Sequence, residues 1–241
     1  MIDLYYYTSP NARKVLMLLE ELGLPYRVLW TDISAGDQYA PEYQAINPNR
    51  KVPALVDHDG PGGKPITLFE SGAILLYLAE KTGRLLPADP AGRWNVIQWL
   101  FWQTSSQGPL LGQAAHFVSH AASRGIDVQY AVGRYQSEAV RLYEVLESHL
   151  VGREYIGAEL SVADIAIFPW VRVAKGQGVN LDDFPSVKRW CEMIATRPSA
   201  KKKLDRNDAT KLAAKTNYYS DKTWSMLFAG QSRASAPSSA Q

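Results

Sequence analysis

Residues 1–30 read MIDLYYYTSPNARKVLMLLEELGLPYRVLW, and this segment indicates the architecture of the amino-terminal half. Apolar side chains alternate at period two over residues 2–6, which predicts a strand that enters a loop at residues 8–11. Helical spacing follows over residues 12–22 and stops at a glycine, before a second strand-like run over residues 26–30. A connection of this length favours two parallel strands joined by a right-handed helical crossover.

Two further strand-like runs, residues 52–56 and 66–69, are separated by the turn-rich segment DHDGPGG at residues 57–63. They predict an antiparallel hairpin. A helix follows from Ser71 and ends with a lysine, a threonine and Gly83, the residue types that favour a helix carboxyl end. The predicted order is β-α-β-β-β-α or, if residues 38–46 are helical, β-α-β-α-β-β-α.

The pattern changes after LLPADP at residues 85–90, which has two prolines and predicts a linker. Beyond it, alternation at period two disappears and helical spacing dominates. The predicted helices cover residues 94–111, 128–150, 161–173 and 185–197. We therefore expect an α/β domain over residues 1–84, an all-helical domain over residues 91–215 and an extended or disordered tail over residues 216–241, whose last residues are poor in apolar side chains.

Ser161 and Asp164 are spaced as a capping box at the start of the third of these helices. The hydroxyl of the first residue and the carboxylate of the second can each satisfy a main-chain N–H of the other. This helix is predicted to be buried.

The composition excludes several classes of protein. The 241 residues include 26 lysines and arginines against 24 acidic residues, a balance that argues against a nucleic-acid-binding protein. No uninterrupted apolar run approaches the roughly 20 residues that a membrane-spanning helix needs. Cys191 is the single cysteine and cannot form an internal disulfide, so a reducing, cytoplasmic setting is expected.

Two motifs carry a family resemblance: INPNRKVP at residues 46–53 and LFESGAI at residues 68–74. Together with the order of an α/β half and a helical half, they resemble the soluble glutathione transferases. The runs ESGAILLYLAEKTGRLL (residues 70–86) and QWLFWQ (residues 98–103) are most similar to the nu class and its yeast-prion-like relatives. The resemblance implies a thioredoxin-like amino-terminal domain, a homodimer, and glutathione, reduced or oxidised, as co-substrate.

Val52 and Pro53 are the first candidate binding residues. If the peptide bond between them is cis, the main chain before the proline turns outward and can pair with an extended ligand. The resemblance implies that this ligand segment is the cysteinyl part of glutathione. A trans proline at a strand start is the alternative.

Glu70 and Ser71 stand where the third helix of the α/β half begins. Free main-chain N–H groups and the positive end of the helix dipole attract an anion there, and the serine hydroxyl adds a donor. We expect a ligand carboxylate at this point and the ligand's γ-glutamyl ammonium group against Glu70. The alternative is a helix cap with an incidental acid.

The loop after the first strand is the candidate catalytic element, with Ser9 and Asn11 as donors to a glutathione thiolate. A thiol of this kind has an unperturbed pKa of about 8.5, so a few hydrogen-bond donors increase its ionised fraction near neutrality. Related nu-class proteins typically have threonine where this chain has Ser9. Tyr6 or Tyr7 remains the alternative, because other transferases use a phenol near the end of the same strand.

Gln38, Asn49 and Lys51 are predicted to surround the same site and to hold the glycyl carboxylate of glutathione. Arg134 matches a nu-class position that reaches the glutathione site from the partner subunit. A solvated surface lysine is the alternative for Lys51.

Cys191 and the pair His116 and His120 have the residue types of reactive sites. The cysteine lies inside a predicted helix and is expected to be a small buried residue. The histidines are four residues apart, a metal-binding spacing, but no third ligand stands out, so we expect no metal site.

We therefore predict an enzyme in which protein-bound glutathione thiolate attacks a small-molecule disulfide. Conjugation of glutathione to a small electrophile is the first alternative. A non-enzymatic glutathione-binding regulatory module is the second.

Overall fold

A four-stranded mixed sheet organises the amino-terminal half of the computed structural model, which describes residues 1–204 and 220–228. The strands are β1 (Ile2–Tyr6), β2 (Tyr26–Trp30), β3 (Ala54–Asp57) and β4 (Ile66–Phe69), in the spatial order β2-β1-β3-β4. β1 and β2 run parallel, whereas β3 is antiparallel to both β1 and β4. The predicted parallel crossover and the predicted hairpin are confirmed.

Three helices complete this half: α1 (Pro10–Leu22), α2 (Pro41–Ile46) and α3 (Ser71–Thr82). α1 ends at Gly23, whose φ of 66° is a left-handed conformation that glycine adopts without strain. Because α2 is helical, the longer of the two predicted orders, β-α-β-α-β-β-α, is the observed one. The arrangement is thioredoxin-like, as expected.

The second half is helical within the described residues. Its helices are α4 (Pro90–Trp102), α5 (Gly108–Ala115), α6 (Gln129–Leu150), α7 (Val162–Val171), α8 (Pro185–Ala195), α9 (Pro198–Lys201) and α10 (Asp221–Leu227). None of them combines the length and the apolar character that crossing a membrane would require.

One predicted helix, over residues 94–111, is wrong as a single element. α4 ends at Trp102, and a wide π-type turn over residues 103–107 leads into α5. Pro109 has no main-chain N–H, so a regular helical ladder cannot continue through it, and the chain widens instead. The turn presents Gln103 and Thr104 to the cleft described below.

The prediction of an extended or disordered tail is wrong for residues 221–227, which form α10. Trp224 and Phe228 pack on the ring of His116, at centroid distances of 5.5 and 4.7 Å. Apolar contacts at helical spacing therefore stabilise a helix that the polar residues around it in the sequence do not predict. Residues 216–219 and 229–241 of the predicted tail lie outside the described part.

α7 is the buried centre of the helical half, and the predicted capping box is present at its start. The Asp164 carboxylate accepts hydrogen bonds from Ser161 N–H, Ile156 N–H and the indole Nε1–H of Trp190, all between 2.9 and 3.0 Å. These bonds hold three parts of the chain around one fully buried acid.

The two halves are joined by direct contacts that fix the walls of the cleft. Val162 N–H donates to the carbonyl of Leu85 at 2.9 Å. The guanidinium group of Arg197 donates two hydrogen bonds to the Glu21 carboxylate on α1, at 2.7 and 2.8 Å. Such a bidentate pair restricts the orientation of α1 against the helical half.

Candidate active site

A cleft of about 700 Å³ opens between the sheet and the helical half. One wall is built from the loops around the sheet, including those that precede α1, β3 and α3. The other wall is built from the turn after α4, α5, Trp170 on α7 and the end of α10. Nine predicted site residues line it, and Arg134 does not. The nine are Ser9, Asn11, Gln38, Asn49, Lys51, Val52, Pro53, Glu70 and Ser71.

Ser9 and Asn11 lie at the amino end of α1. The Ser9 hydroxyl oxygen accepts from Ala12 N–H at 3.1 Å and caps the helix, so the hydroxyl proton remains available to a ligand. The side-chain oxygen of Asn11 accepts from the indole Nε1–H of Trp170 at 3.0 Å. With its oxygen held by the indole, the amide group of Asn11 offers its N–H donors elsewhere.

Tyr6 and Tyr7 lie outside the set of residues that line the cleft. Tyr6 is buried in the main core and packs on Trp30, and burial raises the pKa of its phenol. Tyr7 points to the other face of the sheet, where its hydroxyl contacts Ser34 at 3.5 Å. The alternation predicted for β1 accounts for this division between the two faces.

The loop before β3 is held by Asn47, a buried residue that is not among the predicted site residues. Its amide donates to the carbonyl of Lys51 at 2.6 Å and accepts from Asn49 N–H at 2.9 Å. The Val52–Pro53 peptide bond is cis, which is the first of the two alternatives that the sequence leaves open. Strand pairing begins only at Ala54, so the main chain of Val52 lies outside the ladder, and Val52 is among the residues that line the cleft.

Glu70 sits directly before α3 with φ of 68°, a conformation that is uncommon for a residue other than glycine. Strain of this kind persists at sites where the surrounding structure over-determines the backbone. The Glu70 carboxylate accepts from the Asn49 side chain at 3.3 Å. Ser71 is the first residue of α3, is almost fully buried, and lies beside the free N–H groups of the helix.

Gln38 is buried in a short 3₁₀ turn over Asp37–Tyr39. Its side-chain nitrogen donates to the carbonyl of Ile33 at 3.2 Å, while its side-chain oxygen has no hydrogen-bond partner in the described structure. A buried acceptor of this kind can take a donor from a ligand. Lys51 is exposed at the cleft edge.

Arg134 lies on α6, where it pairs with Glu138 at 3.4 Å and is more than half exposed. It is not brought to the cleft of its own subunit. Its expected position in a partner's site stays a prediction.

Cys191 and the two histidines do not form a reactive centre in the described residues. Burial raises the pKa of the Cys191 thiol to about 11, so the group stays protonated at neutral pH. His116 lines the cleft among aromatic rings, and burial lowers its pKa. Across residues 1–204 and 220–228, no group of three or more histidine, cysteine or acidic side chains is placed to hold a metal ion.

Comparison with known proteins agrees with this architecture. The glutathione S-transferase amino-terminal domain family matches residues 8–81, and the corresponding carboxyl-terminal domain family matches residues 131–198. The Disulfide-bond oxidoreductase YfcG of Escherichia coli is 49% identical over 83% of this chain and 92% of its own length.

Solved structures are similar over the same extent. A glutathione transferase from Pseudomonas putida, with one glutathione disulfide bound per subunit, is 42% identical with a TM-score of 0.80, over 83% of this chain and 89% of that one. A glutathione transferase from Burkholderia graminis, with two glutathione molecules bound per subunit, is 44% identical with a TM-score of 0.77, over 82% of this chain and 85% of that one.

Proposed function

Because this chain belongs to the glutathione S-transferase family, we propose that it is a glutathione-dependent disulfide-bond oxidoreductase of the nu class. The name of the Escherichia coli relative supports the activity, since the similarity extends over nearly all of that protein. Glutathione disulfide or two glutathiones in the related structures support a cleft that admits two thiols. We take the glutathione-binding domain as residues 1–84, the linker as 85–90 and the helical domain as 91–215.

The observation that carries the proposal is the fixed orientation of Asn11. Trp170 occupies its side-chain oxygen, so the two N–H donors of the amide are left for an anion beside the Ser9 hydroxyl. Hydrogen bonds to the ionised form lower the pKa of a thiol. A glutathione sulfur placed there is held as a thiolate, which is the nucleophile in thiol-disulfide exchange.

The remaining contacts orient the peptide. The main chain of Val52, turned outward before Pro53, pairs with the cysteinyl unit. The Ser71 hydroxyl and the amino end of α3 hold the γ-glutamyl carboxylate, and Glu70 holds the adjacent ammonium group.

The glycyl end of the ligand is assigned to the opposite side of the loop. Lys51 supplies the positive charge for its carboxylate, and the second side-chain N–H of Asn49 donates to that carboxylate. The unpartnered side-chain oxygen of Gln38 accepts from the glycyl amide N–H. Asn49 already contacts Glu70 at 3.3 Å, so it also steadies the residue that meets the ammonium group.

The reaction proceeds through two thiol-disulfide exchanges. The bound thiolate attacks one sulfur of a disulfide RSSR, which forms a mixed disulfide and releases RS⁻ to be protonated. A second glutathione thiolate then attacks the mixed disulfide, so that two glutathiones are oxidised to one glutathione disulfide and RSSR is reduced to two RSH. With Cys191 buried and protonated, all of the reacting sulfur comes from the ligands.

A homodimer completes the proposal. Phe69, Trp94 and Phe101 are large apolar side chains that are exposed in the isolated subunit, Trp94 by 66%. Their contact with a second copy would remove this apolar surface from water, and Arg134 would then reach the partner's cleft. A cytoplasmic location agrees with the need for reduced glutathione.

Turnover of two substrates tests the proposal. We expect reduction of hydroxyethyl disulfide by glutathione, followed through glutathione reductase and NADPH, to exceed conjugation to 1-chloro-2,4-dinitrobenzene. Ser9→Ala and Asn11→Ala should lower kcat and leave the Kd for glutathione nearly unchanged. Faster conjugation would favour the conventional transferase, and binding without turnover of either substrate would favour the regulatory module.

A further inference from the structure

Lys14 is a buried lysine that none of the roles above uses. It lies inside α1 with only 1% of its surface exposed. Its Nζ donates to the Ser71 hydroxyl oxygen at 3.2 Å and to the side-chain oxygen of Gln103 at 2.5 Å. Lysine is almost never fully buried unless it is paired, so this placement calls for a reason.

The residues around Lys14 are tightly packed and form part of the cleft wall. A methyl group added at Gly72 would come within 2.7 Å of the Thr104 side chain, so α3 and the wide turn after α4 approach without room between them. Lys14, Ser71 and Gln103 all line the cleft at this junction. The Lys14 amine therefore lies within hydrogen-bond distance of the Ser71 hydroxyl, to which the ligand's γ-glutamyl carboxylate is assigned.

The chemistry of the contact determines the direction of the hydroxyl. When Lys14 is protonated, its ammonium group has donors and no acceptor, so the Ser71 oxygen accepts from it. The single proton of that hydroxyl is then free to point into the cleft. We propose that Lys14 is a positioning residue of the carboxylate subsite: it orients the Ser71 hydroxyl as a donor and supplies positive charge beneath the ligand's α-carboxylate. The inference rests on the proposed function.

The protonation of Lys14 should depend on a bound anion, because few other charged groups interact with its amine. Burial lowers the pKa of Lys14 to about 7, and the nearby Glu70 carboxylate opposes this shift. Charged side chains on α1 and on the elements around it form contacts with other groups. Arg13 and Arg172 donate to the carbonyl of Ala200, Asp164 binds Trp190, Glu80 pairs with Arg93, and Lys81 pairs with Asp57.

Among the described residues that line the cleft, the ionisable side chains besides Lys14 and Glu70 are Tyr39, Arg50, Lys51 and His116. Their contribution to proton uptake should be the same for any two ligands that share the cysteinyl and glycyl units. Binding of an α-carboxylate should therefore raise the pKa of Lys14 and take up a fraction of a proton near neutral pH.

A comparison of two ligands measures the contribution of the α-carboxylate to binding. They are S-methylglutathione and S-methyl-(γ-aminobutyryl)-cysteinylglycine, and the second lacks only that group. Both have a blocked sulfur, so thiol ionisation does not contribute. For Lys14→Met we expect the Kd for S-methylglutathione to rise about tenfold or more, and the Kd for the second ligand to change less than about twofold. Lys64→Met, which removes the same charge from an exposed turn, should change neither Kd.

Calorimetry of the unaltered protein provides a test that does not depend on the folding of the variant. In two buffers of different ionisation enthalpy at about pH 7.5, S-methylglutathione should bind with proton uptake that exceeds that of the second ligand. An equal rise in the Kd of both ligands in Lys14→Met would overturn the role of Lys14 alone. Equal proton uptake on binding of both ligands to the unaltered protein would do the same. Failure of the unaltered protein to bind either ligand would overturn the proposed function with it.

Discussion

Replacing Trp170 with phenylalanine tests how the proposed thiolate site is held. The change keeps an aromatic ring on α7 and removes the indole N–H that donates to the Asn11 oxygen at 3.0 Å. Without that donor, the amide can rotate and turn its oxygen toward the sulfur. An oxygen atom facing a thiolate repels it, so the ionised form loses stabilisation.

The size of the effect follows from the single bond removed. A neutral hydrogen bond contributes about 0.5–1.5 kcal/mol, and one pKa unit corresponds to about 1.4 kcal/mol. Trp170→Phe should therefore raise the pKa of the bound thiol by about 0.4–1.1 units. The same energy predicts a fall in kcat of about 2- to 12-fold at a pH below that pKa. The Kd for glutathione should change little, because Trp170 does not hold the peptide ends.

The assay is the pH dependence of kcat for disulfide reduction, with the Kd for glutathione measured separately. Trp99→Phe is the matched control, since Trp99 packs on Trp102 and His149 away from the cleft. In the background of Asn11→Ala, the change at Trp170 should have no further effect, because the residue through which it acts is gone. An unchanged pH profile, or an equal fall in kcat with and without Asn11, would show that Trp170 does not act through Asn11.

Three further predictions concern residues outside the cleft. Cys191→Ser should retain full disulfide reductase activity at a small cost in thermal stability, which activity and melting measurements on the same sample would establish. Asp164→Ala should lower the free energy of unfolding by at least about 3 kcal/mol in a denaturant titration, since the Trp190 indole and two main-chain N–H groups lose their buried acceptor. Hydrogen bonds from Arg197 hold the pKa of Glu21 below its ordinary value, so this pair stabilises the fold at neutral pH and is lost on acidification. Arg197→Met should therefore lower Tm at about pH 7 and have little effect at about pH 3; an equal effect at both would argue against the ion pair.

Local signals in the sequence were sufficient for most of the fold. Alternation in β1 indicated which faces its side chains occupy, and the capping box of Ser161 and Asp164 marked the start of α7. Such features depend on neighbours within a few residues. The wide turn after α4 was missed because helical spacing continues through it, and only the missing N–H of Pro109 signals a break. α10 was missed because its order comes from contacts with His116, far away in the chain.

The candidate site divides in the same way. The loop residues that precede α1, β3 and α3 were identified from their motifs, since each motif is continuous in sequence. Trp170 and Lys14 were not, because each acts through a side chain distant in sequence, Asn11 in one case and Ser71 in the other. Asn47 is an intermediate case, because it was not identified although a local signal was present. Its place in an Asn-Pro-Asn turn could have marked it as the residue that fixes the loop.

The proposed mechanism depends above all on the ionisation of glutathione on the protein. Thiolate absorbance near 240 nm, titrated against pH as a difference between bound and free glutathione, reports the pKa of the bound sulfur. We expect a value clearly below the 8.5 or so of a free thiol, and the same value in Cys191→Ser. A bound thiol that titrates at or above about 8.5 would contradict the claim that Ser9 and Asn11 stabilise its anion.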